Sequence, residues 1–275
     1  MLEVLKVIIL GIVQGITEWL PISSTGHLIL VEELIQLKQS DAFRNMFNVV
    51  IQFGSIMAVV MIYFHKLNPF SKTKTQKQKM LTIQLWIKVI IGTLPAMIFG
   101  LLFNDLIEAK LSNAYVVALM LVVYGVLFIV IENHNKTRQP KVTRISQLSI
   151  KTVLLIGVFQ MMAMIPGTSR SGATIVGALL LGVSRSVAAE FTFFLAIPVM
   201  FGASALKLFK FGLAFTPMQV FLLLLGMIVS FGVSVVAIKF LMKYIRNHDF
   251  KAFGYYRIVL GIIVFLYFGI SALMK

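Results

Sequence analysis

Four polar residues near the start of the chain have the types and spacing that chemistry asks for: Gln14 and Glu18, four apart, and Ser24 and His27, three apart. Residues four apart on a helix lie one turn from each other on the same face, which suits Gln14 and Glu18 to a base or a metal. Ser24 and His27 stand where a turn enters a helix and are within reach of one another if that helix begins near Ser24, so they set a nucleophile beside a base. In isolation the SSTG run has a second reading, in which Ser23 and Ser24 cap the following helix. His27 shifts the balance toward catalysis, because the other three histidines, His65, His134 and His248, fall in expected loops.

A second polar stretch, GTSRSGAT at 167–174, suits an anion. Gly167 and Gly172 let backbone approach a ligand, Ser169, Ser171 and Thr174 offer hydroxyl donors, and a helix is expected to start after Gly172. The guanidinium of Arg170 can take two phosphate oxygens, and N–H groups at a helix start cradle others. Two structural alternatives stand beside this: Arg170 satisfies carbonyls of its own turn, or it pairs with Glu18 to hold the two stretches together. One carboxylate, one amide and one imidazole do not make a metal site from protein ligands alone. A divalent cation, Mg²⁺ or Ca²⁺, shared between Glu18, its neighbour Gln14 and substrate phosphates is the metal reading that fits. The chain has no cysteine, which excludes disulfides, thiol nucleophiles and cysteine-ligated metals.

The elements that carry these residues are apolar. Of 275 residues 59% are hydrophobic and 13% charged, with a mean hydropathy of +0.94, the composition of an all-α polytopic membrane protein. The net charge of +15 is read as basic loops on one membrane face rather than as a nucleic-acid surface. Six stretches approach the roughly 17 to 25 apolar residues of a full span: 46–64, 81–103, 115–131, 191–206, 220–238 and 258–274, with kinks expected at Pro95 and Pro198. Shorter pieces flank each polar stretch, 4–13 and 28–37 around the first, 153–165 and 175–181 around the second. Each pair reads as a re-entrant helical hairpin with its polar turn at mid-membrane. A carboxylate there costs about 2.5 to 3.5 kcal/mol at a helix centre, which makes Glu18 a functional candidate by default.

The two stretches are copies. A shift of 146 sets GIVQGITEWLPISSTGH (11–27) on the stretch beginning at Gly157 without a gap: Gly11 on Gly157, Gln14 on Gln160, Ser23 on Ser169, Thr25 on Ser171, Gly26 on Gly172. Thr25 thereby joins the hydroxyls expected to hold phosphate. The copies part at Glu18 against Met164, Ser24 against Arg170 and His27 against Ala173. The chain is read as one integral membrane domain of two repeats, 1–146 and 147–275. Each has a hairpin and three spans, so the second enters the membrane from the opposite side and the repeats are inverted. This path puts 17 of the 25 Lys and Arg on one face, 7 on the other and Arg170 in a hairpin. The 17-charge face is then cytoplasmic, and both termini are extracytoplasmic. The first twenty residues are expected to stay in the mature chain, since Gln14, Glu18 and Pro21 spoil a signal peptide. Arg257, beside the last span, is read as a cytoplasmic anchor. Broken helices meeting at mid-membrane also describe secondary transporters, so a transporter stands as the rival reading.

Over nearly its whole length the chain resembles the undecaprenyl diphosphate phosphatases, or bacitracin-resistance proteins. QGITEWLPISSTGH (14–27) and PGTSRSGAT (166–174) carry the resemblance, with support from VVIQFGSIMAVV (49–60) and LGVSRSVAAEFTFFLAIP (181–198). It implies a membrane enzyme that removes the terminal phosphate of a C55 polyprenyl diphosphate, giving the monophosphate carrier lipid of cell-wall synthesis, at the outer face of the bacterial cytoplasmic membrane. It implies an interdigitated inverted repeat and support by divalent cations. Glu18, Ser24, His27, Ser169, Arg170 and Thr174 match the family's motifs. Gln14 departs from the glutamate that many members carry. The expected catalytic set is Glu18, Ser24, His27 and Arg170, and the expected partners are the lipid substrate and membrane lipid, with homo-oligomerisation open and no nucleic acid.

Overall fold

The computed structural model of the protein describes residues 2–212 and 214–273. The end of the last expected span, Met274, and both chain ends, Met1 and Lys275, lie outside the described residues. Eleven α-helices are described: α1 (Leu2–Thr17), α2 (Ser24–Leu34), α3 (Asp41–Ile62), α4 (Phe64–Leu67), α5 (Gln76–Leu111), α6 (Ala114–Asn135), α7 (Ile150–Met162), α8 (Arg170–Leu180), α9 (Arg185–Phe211), α10 (Pro217–Tyr244) and α11 (Lys251–Leu273). Hydroxyl and amide side chains set most of their starts. Ser40, Asn113 and Ser149 accept from backbone N–H groups of α3, α6 and α7, and Thr75 and Thr216 open α5 and α10 with reciprocal bonds to Gln78 and Gln219.

Among the described residues six helices, α3, α5, α6, α9, α10 and α11, are long and apolar enough to cross a membrane, and they coincide with the six expected spans. Helix α5 is longer than expected at 36 residues, running through Pro95, as α9 runs through Pro198. Exposed Ile83, Ile87, Ile90, Leu94 and Leu101 form an apolar stripe along α5, a surface that lipid covers and water would not. By contrast α2 has 11 residues and α7 has 13, about 16 and 20 Å of helix, short of the roughly 30 Å hydrocarbon core. α1 with α2, and α7 with α8, are hairpins whose turns are residues 18–23 and 163–169.

The two halves pack into each other reciprocally: α1 lies on α10 and α7 on α5, while α3 meets α9 and α6 meets α11. The same small residue permits both hairpin contacts. A Cβ on Gly11 would stand 3.1 Å from the Gly226 carbonyl oxygen of α10, and one on Gly157, its copy, 2.3 Å from the Gly92 carbonyl oxygen of α5. Close approach of this kind is what drives helix association where lipid removes the hydrophobic force. The largest core surrounds the second hairpin, with Trp19, Phe128, Phe191, Phe193, Phe194 and Phe250 buried together. At one end Arg185 of α9 donates to both carboxylate oxygens of Glu132 on α6, which also accepts from the Phe250 N–H ahead of α11.

Candidate active site

Both hairpin tips turn through the same unusual backbone. Ser23 has φ 73° and Ser169 φ 70°, the only non-glycine residues at positive φ among those described. Such positions cost of order 1 to 3 kcal/mol and persist where the surroundings impose them. Each serine then caps the helix that follows: Ser23 Oγ accepts from Gly26 N–H at 3.3 Å and Ser169 Oγ from Gly172 N–H at 3.2 Å. The capping reading of the SSTG run is therefore met by Ser23 alone, which leaves Ser24 free. Helix α8 begins at Arg170, three residues earlier than expected, because Ser169 is its cap.

With Ser23 committed, Ser24 turns to Glu18. The Glu18 carboxylate is 7% exposed and gathers three donors: Gln14 Nε2 at 2.9 Å and Ser24 Oγ at 3.2 Å on Oε2, and Arg170 Nη2 at 3.0 Å on Oε1. One carboxylate thus joins the hydroxyl of the first hairpin to the guanidinium of the second. The ion-pair alternative and the catalytic one share this geometry. Arg170 is further held by donating to the Thr192 carbonyl at 3.2 Å, and its guanidinium lies 5.9 Å from the Trp19 ring. Thr174 supports it from below, donating to the Arg170 carbonyl at 2.9 Å and accepting from Thr192 Oγ1 at 2.8 Å. Ser171 Oγ donates to the Glu18 carbonyl at 3.4 Å, and it lies 3.0 Å from Ser169 Oγ. Thr25 is exposed at the first tip.

His27 sits on the same tip but is turned from Ser24. Its Nδ1 lies 2.8 Å from the Ser23 carbonyl and its Nε2 2.6 Å from the Tyr256 hydroxyl. The structure thus brings Gln14, Glu18, Ser24 and Arg170 to one point and places His27 beside it, tied to α11.

Arg257 is not the interfacial anchor that its place in the sequence suggests. It is fully buried, and its donors reach Pro21 O of the first tip, Gly167 O and Thr168 O of the second, and Met120 O and Leu121 O of α6, at 2.8 to 3.4 Å. The irregular backbone of the tips has carbonyls that no helix satisfies, and the guanidinium meets three of them, Pro21 O, Gly167 O and Thr168 O. Gly167, at φ +90°, and Gly172 border this clamp: a Cβ on Gly172 would lie 3.1 Å from Arg257 Nη1. The available signal was position: a helix starting at Lys251 carries Arg257 about 9 Å inside, where a charge is rarely decorative.

For a divalent cation the donor set is Glu18 and Gln14, and Gln14 Oε1 is buried without a hydrogen-bond donor among the described residues. A hard cation takes oxygen of this kind, so the residues fit. Among the described residues no group of three or more acidic or histidine side chains could hold a metal by itself.

A family model described as "Bacitracin resistance protein BacA" matches residues 7–263. A protein named undecaprenyl-diphosphatase from Desulfitobacterium hafniense is 60% identical over 98% of this chain and 97% of its own. One from Acetivibrio thermocellus is 61% identical over 98% of both chains, and one from Enterococcus faecalis 59% identical over 96% of this chain and 97% of its own.

Proposed function

The chain belongs to the bacitracin resistance protein BacA family, and from that membership we propose that it hydrolyses undecaprenyl diphosphate to the monophosphate and inorganic phosphate by attack of Ser24. The observation that carries the assignment is the placing of Ser24 Oγ and Arg170 Nη2 on the two oxygens of one buried carboxylate. Phosphoryl transfer asks mainly for a positioned nucleophile and for charge opposite the transferred oxygens. Ser24 Oγ bonds to the terminal phosphorus while Glu18 takes the hydroxyl proton, and the P–O bond to undecaprenyl phosphate breaks. Water then cleaves the phosphoserine, with Glu18 and His27 handling its proton, and phosphate leaves. Arg170 exchanges Glu18 for phosphate oxygens as the substrate enters, and the N–H groups of the second tip add donors beside Ser169 and Ser171. Ser24 is preferred to His27 as nucleophile because both His27 nitrogens are engaged away from Glu18.

A divalent cation, Mg²⁺ or Ca²⁺, held by Glu18 and Gln14 would neutralise charge on the diphosphate. The two repeats are inverted in this reading, which the reciprocal packing of α1 on α10 and α7 on α5 supports. The more basic face is cytoplasmic and the site opens to the outside. Phosphate release from undecaprenyl diphosphate by protein purified in detergent tests the whole reading, since detergent offers no two sides to transport between. Wild type should release phosphate and Ser24→Ala should not; a flippase without hydrolysis predicts none from either.

A further inference from the structure

The mechanism above leaves one side chain at the site without a role. Tyr256 lies on α11, 229 residues from His27, and its ring is parallel to the imidazole, with 4° between the planes and 5.5 Å between centroids. We propose that Tyr256 is a positioning residue for His27, holding the imidazole through Nε2 and so fixing the tautomer in which Nδ1 carries the hydrogen and Nε2 is the acceptor. The inference rests on the phosphatase reading for what His27 does, and on geometry for how it is held.

The proton arrangement follows from the partners. Ser23 O is a carbonyl and accepts only, so Nδ1 carries the hydrogen in that 2.8 Å bond. In the neutral ring Nε2 is then bare, and the Tyr256 hydroxyl donates to it at 2.6 Å. The hydroxyl fills the one lone pair of Nε2, so it turns away before that nitrogen takes a proton during hydrolysis and then accepts from the new N–H, because a phenol serves either way. One side chain therefore keeps the ring in place in both protonation states, which a carbonyl or an ammonium could not do. The position of Tyr256 is itself fixed by its neighbour. Arg257 is bonded to both hairpin tips, so α11 is indexed to the turn that carries His27. Tyr256 is 46% exposed, so losing its hydroxyl opens no cavity and leaves the core intact.

Tyr256→Phe keeps the stacked ring and removes only the hydroxyl. On full-length protein in detergent with undecaprenyl diphosphate, kcat should fall about tenfold, the order of loss seen when a partner that orients a working histidine is removed, with KM within about twofold. If the effect runs through His27, it vanishes in a His27→Gln background, so the double variant matches His27→Gln alone. The ¹⁵N resonances of His27 should show a free Nε2 in Tyr256→Phe, a readout that needs no substrate. Wild-type kcat with unchanged ¹⁵N shifts, or an equal fold loss in both backgrounds, overturns the proposal. A wild-type protein that releases no phosphate while the ¹⁵N change appears sinks the phosphatase reading and leaves the Tyr256 contact standing.

Discussion

Ser23 and Ser169 adopt nearly the same positive φ and cap the glycine three residues on, yet the side chains mounted beside them diverge. In the first hairpin Gln14 donates to Glu18, and Ser24 and His27 follow the cap; in the second Met164 replaces the acid, Arg170 the serine and Ala173 the histidine. Gln160, the copy of Gln14, is buried, and neither of its amide atoms has a partner among the described residues. The strained turn is kept twice and the chemistry is not, which shows that the turn serves shape. Each tip reverses within six or seven residues and presents N–H groups and one side chain at the junction of the hairpins, and a serine at that φ does both. With acid and cation on separate tips, their meeting spans the junction, and a diphosphate entering there can displace one from the other.

Removing the acid tests that division most severely. Glu18→Gln keeps the shape of the hub and should lower phosphate release by about 10³-fold, within the range for loss of a general base, with the protein still folded. Robust activity would move the proton chemistry to another residue. Arg170→Lys keeps the charge of the second tip and loses the fork that grips two oxygens. A fall of about 10²-fold in kcat is expected, comparable to loss of one charge-stabilising donor; near-normal turnover would reduce Arg170 to a tie between hairpins. Gln14→Glu sets two carboxylates one turn apart, which repel unless a cation or a shared proton intervenes. Substantial activity should remain, with a steeper dependence on Mg²⁺ than wild type, and superimposable magnesium curves would take Gln14 out of any cation site. Gln160→Met is the mildest test. It replaces an amide lacking partners with an apolar chain of similar shape, so activity should be unchanged and stability should rise by about 1 kcal/mol; a drop in activity would give the second hairpin a chemistry beyond Arg170.

The division between the hairpins was legible in sequence because it is written in residue types. Apolar length marked the six spans, shortness marked the hairpins, and a constant shift of 146 aligned Ser23 with Ser169 and Glu18 with Met164. The meeting of Glu18, Ser24 and Arg170 could be expected, since an acid and a cation at membrane depth seek each other. Arg257 was misread because it donates to backbone carbonyls, and a carbonyl has no letter in the sequence. The direction of His27 was hidden for a related reason: helical spacing puts it in reach of Ser24, but the ring is turned by a tyrosine from the far end of the chain. The extra length of α5 comes from polar ends that hydropathy alone trims.

Arg257 also gives the site a date in the life of the chain. Pro21 precedes its donor by 236 residues, and at roughly 5 to 20 residues per second of synthesis that is on the order of ten to fifty seconds. Over that interval the Pro21 carbonyl lacks the guanidinium that meets it, and over its last 90 residues the Gly167 carbonyl does too. The first hairpin is made early and locked last, and a nascent protein stopped before α11 holds Glu18, Ser24, His27 and Arg170 without the guanidinium that ties the two tips together.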